Sequence, residues 1–210
     1  SKEESGREMS VRGGPERVQV AGVASAKNAK VASGKTIAQL AELWSMSPVD
    51  TVIRLILEED GAVGAVYFSM SEEDMKAILA DSRVAVGSDG RGMKAETDSG
   101  KATHPRSYGT FPRVIGRFVR EGVLPLERAV YKMTGLPAER LRLSNRGFIR
   151  PGYAADVTVF DPVTVADQAD FANPHQYPVG IEYVLVNGKL AAKDGRLTGQ
   201  AAGRVLRKRF

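Results

Sequence analysis

The 210-residue chain has no cysteine, two histidines and one tryptophan. Each scarcity excludes something. Without cysteine there are no disulfides, zinc fingers, iron–sulfur ligands or thiol nucleophiles. His104 and His175 cannot make a histidine-rich metal site by themselves, because zinc sites take ~3–4 protein ligands. No apolar run approaches the ~20 residues of a membrane span, so no membrane partner is expected. The stretch 1–16 is polar and shows no signal-peptide pattern, which makes a cytoplasmic protein the expectation. Repeats and low-complexity tracts are also missing.

What is present fits a globular domain: 42% hydrophobic residues, 26% charged residues and 22 glycines. The net charge of +5 is local, since residues 101–150 hold eleven Lys/Arg against three Asp/Glu. No aromatic platform or nucleic-acid motif accompanies those cations. They read as a solvated helix face, and no nucleic-acid partner is expected.

Periodicity divides the chain. Residues 1–16 read as a disordered or loop start. Residues 17–23 alternate as a strand, and 25–34 read as a loop. Thr36 opens an amphipathic helix, and Ser47-Pro48 starts another, with Ser47 as the cap and Pro48 in the first turn. Residues 62–68 form a continuous apolar run, as a strand buried on both faces requires. A helix from Ser71 and a short strand at 84–87 follow, predicting a βαβ unit with parallel neighbours. Residues 88–110 lack periodicity and read as a long functional loop. Helices are predicted from Pro112 and Pro125. In the former, Arg113, Arg117 and Arg120 face outward. After Gly147 the pattern becomes all-β, with a hairpin around Asn187-Gly188.

Ligands of parallel α/β structures gather beyond the carboxyl ends of strands. Two such ends stand out: Tyr67, Phe68 and Met70 after the first strand, and Ser88 and Asp89 after the second. Asp89 lies between small residues. Its carboxylate is suited to binding a metal or accepting a proton, or to closing its own turn as Asp-Gly pairs do. The following loop holds His104, Arg106 and Tyr108. His104 suits a ligand, a proton carrier or a solvated residue. Arg106 suits bidentate capture of a carboxylate. The aromatic and methionine side chains suit either an apolar pocket or core.

The blocks VAVGSDG (84–90), HPRSYGTFPRVIGRFVREG (104–122), LERAVYKMTGLPAERLRL (126–143), RGFIRPGYAADVTVFDP (146–162), NPHQYPVGIEYVLVNGKL (173–190) and DGRLTGQAAGRVLR (194–207) occur in order. With GKTIAQLAE (34–42), they resemble the N-acyl-D-amino-acid deacylases (D-aminoacylases) of the amidohydrolase superfamily. The resemblance implies an α/β fold: the C-terminal part of a (β/α)₈ TIM-type barrel, then part of a small β-sandwich. The implied division is a partial barrel over 17–146, a helical insertion at 34–60 and a sandwich tail over 147–210. Asp89 matches the family aspartate that contacts the zinc site, activates the metal-bound water and protonates the leaving amine. Met70, Tyr67, Phe68, Ser88, His104, Arg106 and Tyr108 fall at candidate substrate positions, with Met70 facing the substrate's apolar side chain.

The family's His-x-His pair and its other metal ligands have no counterpart here. The resemblance therefore implies the C-terminal portion of a zinc enzyme, inactive without an N-terminal part or a partner chain supplying it. A non-catalytic, partner-binding module is the alternative. The basic stretch beside Asp89 is expected to attract anionic substrates.

Overall fold

The computed structural model describes residues 13–98 and 103–206, so most of the expected loop start lies outside it. A 3₁₀ turn at Pro15–Arg17 leads into β1 (Val18–Val23), the strand its alternation predicts. Next comes α1 (Ala26–Ala32), where a loop was expected. The local sequence has a cap, Ser25, whose side chain accepts the Asn28 amide. The decisive partner is distant. The Glu59 carboxylate accepts from the Ser25 amide and hydroxyl and from the Asn28 side chain at 2.5–2.7 Å. It satisfies donors at the helix start and sits at the positive end of its dipole. These donors also hold the Glu59 carboxyl below its ordinary pKa, with the Ser25 hydroxyl as the largest cause.

Helix α2 (Ile37–Trp44) begins on a capping box between Thr36 and Gln39. Helix α3 (Pro48–Glu58) begins on the Ser47 side chain, which accepts the Asp50 amide. Strand β2 (Val63–Tyr67) pairs antiparallel with β1, Val18 opposite Tyr67 and Val23 opposite Val63. Val18, Val20, Ile37, Leu40 and Leu55 make the core beneath this ribbon. Two expectations fail here. Strand β2 is half-buried to exposed along its length rather than enclosed on both faces. Residues 84–87, after α4 (Glu72–Ala80), join no sheet among the described residues, so the parallel pair is not formed. A continuous apolar run cannot distinguish a ladder from an extended segment packed on helices. Val86 belongs to the second case: its amide donates to the Lys132 carbonyl at 3.1 Å.

The region expected to be one loop contains a helical turn at Ala95–Asp98 and then α5 (Arg106–Arg113). Pro112 lies inside α5 and lacks the amide that would bond one turn back, and the helix continues as a π-helical stretch over Val114–Val119. Helices α6 (Leu126–Met133) and α7 (Gly135–Arg140) follow. The tail is a four-stranded antiparallel sheet in the order β3 (Val157–Phe160), β4 (Ile181–Val186), β5 (Lys189–Lys193), β6 (Arg196–Leu197). Asn187 and Gly188 both have positive φ, at 49° and 76°, as the predicted hairpin turn demands. Arg146 ties that turn to the start of β3 by pairing with Asp156 and Asn187.

Contacts divide the chain into two units. Among the described residues, one gathers those up to Ser71 with Lys94–His104 and Asp170–His175. The other gathers Glu72–Met93, Pro105–Ala169 and those from Gln176 onward. Helices α5–α7 thus share a unit with the tail sheet, across the division expected after residue 146. Their packing is close. A Cβ on Gly116 would lie 2.4 Å from the Val165 carbonyl oxygen. Overpacking of this kind costs about 1–3 kcal/mol. Gly116→Ala is therefore expected to lower the urea midpoint clearly. Gly203→Ala, with no atom near the added methyl, should leave it nearly unchanged.

Candidate active site

The second unit carries Ser88, Asp89, Arg106 and Tyr108. Beyond Val86 the chain turns sharply. Asp89 adopts φ 48°, a left-handed conformation that aspartate tolerates. The turn is closed by Ser88, whose hydroxyl accepts the Gly90 amide at 3.1 Å. Gly90 is required there, because a Cβ would stand 2.9 Å from the Ser107 Cα at the start of α5. The Arg91 amide donates to the Ser107 hydroxyl at 3.2 Å, fastening the turn to the helix a second time. Asp89 is thereby left to present its carboxylate outward, 86% exposed, with Oδ2 2.9 Å from the Arg106 guanidinium. An exposed ion pair contributes little stability. An accessible carboxylate in a fixed turn can take a proton or ligate a cation. Tyr108, in the first turn of α5, packs edge-to-face on Tyr177 with centroids 5.7 Å apart.

The first unit carries Tyr67, Phe68, Met70 and His104. Tyr67 ends β2, and the Phe68 amide donates to the Arg17 carbonyl at 2.8 Å, extending the pairing by one residue. Met70 is 75% exposed and so is not core. Phe68 and His104 are brought together by a ring that the sequence reading missed. Phe171 packs edge-to-face on both, with centroids 5.1 Å from Phe68 and 4.9 Å from His104. No local pattern marks Phe171. It lies just before the NPHQYP block, in a stretch without periodicity.

Three arginines of the basic stretch have partners within the second unit. Arg113 pairs with Asp167 at 2.6 Å, and Arg117 with Glu72 and Glu121 at 2.6 and 2.8 Å. Arg120 donates to the carbonyls of Pro162, Val163 and Val165. Arg113 and Arg117 remain 42% and 41% exposed while so paired, and Arg120 is exposed as well. Lys132 is fully buried, where charge patterning alone would turn it outward. Its ammonium donates to the Asp81 carbonyl just past the end of α4, where the helix dipole favours a cation. The signal for its burial was helical spacing: Lys132 lies three residues after the buried Ala129.

A cavity of about 930 Å³ in the second unit is walled mainly by apolar side chains, among them Phe111, Ile115, Val130, Phe148, Val157 and Ile181. Among the described residues, no group of three or more His, Cys, Asp or Glu is placed to hold a metal ion. Asp89 supplies one carboxylate, so the residues present do not fit a complete zinc site. No helix among them is long and apolar enough to cross a membrane.

The sequence model of the Amidohydrolase family matches residues 9–192, and the chain belongs to that family. Among its relatives, a D-aminoacylase of Alcaligenes xylosoxydans xylosoxydans is 44% identical over 175 residues, covering 83% of this chain and 34% of the relative. A crystallised D-aminoacylase, studied for its binuclear metal center, superposes with a TM-score of 0.77 at 41% identity, over 91% of this chain and 38% of that one. The N-acyl-D-glutamate deacylase of Bordetella bronchiseptica, solved with zinc and a phosphonate mimic of the tetrahedral intermediate, gives 0.71 at 37% identity, over 87% and 36%. The resemblance read from the motif blocks is borne out. The chain spans about a third of the length of these relatives.

Lys132 yields a prediction with a definite sign. Burial lowers its pKa below the ordinary lysine value. Between the lowered folded value and the ordinary unfolded one, the unfolded chain binds more protons, so stability rises with pH. Wild type is expected to gain stability relative to Lys132→Met as pH rises through that interval. Parallel urea titrations across alkaline pH check this, and a constant difference would refute it.

Proposed function

We propose that these residues are the C-terminal portion of a zinc-dependent hydrolase that cleaves N-acyl-D-amino acids to a D-amino acid and a carboxylate. The observation that carries the reading is Asp89, held outward on the SDG turn beside Arg106 of the HPR block, in a chain 44% identical to a D-aminoacylase over its matched length. In this reading residues 17–146 are part of a (β/α)₈ barrel with 34–60 as an insertion, and 147–210 are the sandwich tail. Asp89 takes a proton from the attacking water and delivers it to the leaving amine. The C–N bond breaks as the new C–O bond forms. Arg106 offers its guanidinium fork to the substrate carboxylate. Ser88 and Tyr108 line the approach to Asp89, and Tyr67, Phe68, Met70 and His104 contact the substrate. Zinc would polarise the amide carbonyl, and its ligands other than Asp89 belong to protein outside these residues.

The apolar cavity of the second unit is core-like in its lining, and Arg146 Nε beside it is buried without an acceptor. The relatives are about three times as long as the matched region. We assign the cavity to the N-terminal remainder of the same domain, whether covalently joined or supplied by a partner chain.

Complementation tests this reading. The 210-residue chain with zinc is expected to show no turnover of N-acetyl-D-leucine. Adding the N-terminal two thirds of the Alcaligenes D-aminoacylase as a separate chain should restore hydrolysis. Asp89→Asn should then lower kcat by about 10²–10⁴-fold with a smaller effect on KM. Turnover by the lone chain, or an active Asp89→Asn enzyme, would sink the proposal. Tight association without turnover would favour the partner-binding module instead.

A further inference from the structure

Packing alone gives no reason for the buried Lys132. The residue is fully buried near the end of α6. Its ammonium takes a neutral acceptor, the Asp81 carbonyl. The Asp81 carboxylate accepts instead from the Arg83 amide and guanidinium, at 2.6–3.0 Å. A buried cation facing a carbonyl rather than a carboxylate carries a desolvation cost. Replacing buried charge by apolar side chains of similar volume is often neutral or stabilising. Methionine would fill much the same space without the charge.

What lysine does there, and methionine could not, is hold both ends of one short connection. Its side chain holds the Asp81 carbonyl, and its own carbonyl accepts the Val86 amide at 3.1 Å. Residues 81–86 are thereby fixed against sliding along α6. Only Gly87 and Ser88 separate Val86 from Asp89. Beyond Asp89 the chain is mounted again. Gly90 lies against Ser107 at the start of α5, and the Arg91 amide donates to the Ser107 hydroxyl at 3.2 Å. Asp89 thus hangs between two mounts, one on α6 and one on α5, and all of these residues belong to the second unit. With one mount loosened, the turn can rotate about the other. A misplacement of about 1 Å at a reacting group costs about a hundredfold in rate.

We infer that Lys132 is a positioning residue for Asp89, holding the approach to the SDG turn from α6. The inference rests on the deacylase reading above and adds a residue to it. Natural sites often keep groups that lower stability because activity needs them.

Two measurements test it. In the 210-residue chain at neutral pH, Lys132→Met should leave the urea midpoint no lower than in wild type. The Val86 and Arg91 amides should nevertheless exchange with solvent about tenfold faster, while those of β4 keep their rates. In the complemented enzyme, Lys132→Met should lower kcat for N-acetyl-D-leucine about tenfold and leave KM nearly unchanged. Lys132→Gln, which keeps a donor without the charge, should fall between the two. Leu124→Ala, a core variant of the same unit, should lower the urea midpoint and leave kcat at the wild-type value. Failure of wild type to hydrolyse any N-acyl-D-amino acid overturns the deacylase reading, and this inference with it. An active wild type whose Lys132→Met variant keeps its kcat, or loses activity only through KM, overturns this inference alone. So do unchanged exchange rates at Val86 and Arg91. Unfolding of both Lys132 variants does the same, because the lysine would then serve stability.

Discussion

Helix α5 and the π-helical stretch after it grip the segment 161–167, and the second unit depends on that grip. Arg113, Gly116 and Arg120 share one face. Arg113 holds the Asp167 carboxylate, Gly116 lets the Val165 carbonyl approach, and Arg120 gathers three carbonyls of the segment. A π register suits this work, since Pro112 has already broken the regular bonding of α5. A planar guanidinium supplies several donors in fixed directions, so one side chain can serve three carbonyls. With α5 pinned at its far end, its start is fixed too. That start carries Ser107, which receives the SDG turn, and Arg106, which faces Asp89. The position of the candidate acid is therefore set through the helix from the tail of the chain.

Polar groups inside each unit act as fasteners. Glu59 is buried but surrounded by donors, and those donors are the start of α1. Lys132 is buried with a carbonyl partner at the end of α4, while its own carbonyl receives the Val86 amide. One residue thus grips both ends of residues 81–86, the connection that leads to Asp89. Burying a charge is costly unless such partners exist, and here the partners belong to elements that must be joined.

The amidohydrolase family contains deacylases for different D-amino acids, including a D-aminoacylase and an N-acyl-D-glutamate deacylase among the relatives of this chain. Asp89 and Arg106 lie in one unit, and the rings of Phe68, His104 and Phe171 in the other.

Much was legible in the residues themselves. Helix starts at Thr36 and Ser47, the Asn187-Gly188 hairpin and β1 follow from capping, turn chemistry and alternation. These are local effects within a few bonds. The ordered motif blocks carried the family and picked out Asp89. What the sequence could not decide depends on partners far along the chain. Whether 84–87 pairs in a sheet, whether 25–34 coils or winds, and whether Lys132 points in or out are settled by Lys132, Glu59 and Asp81 as neighbours in space. Arg113, Arg117 and Arg120 each also reach an acceptor more than forty residues away in the chain, which a helical wheel does not show. Phe171 has no pattern of its own. Its position belongs to the turn of Asp170 and to two rings brought to it by the fold.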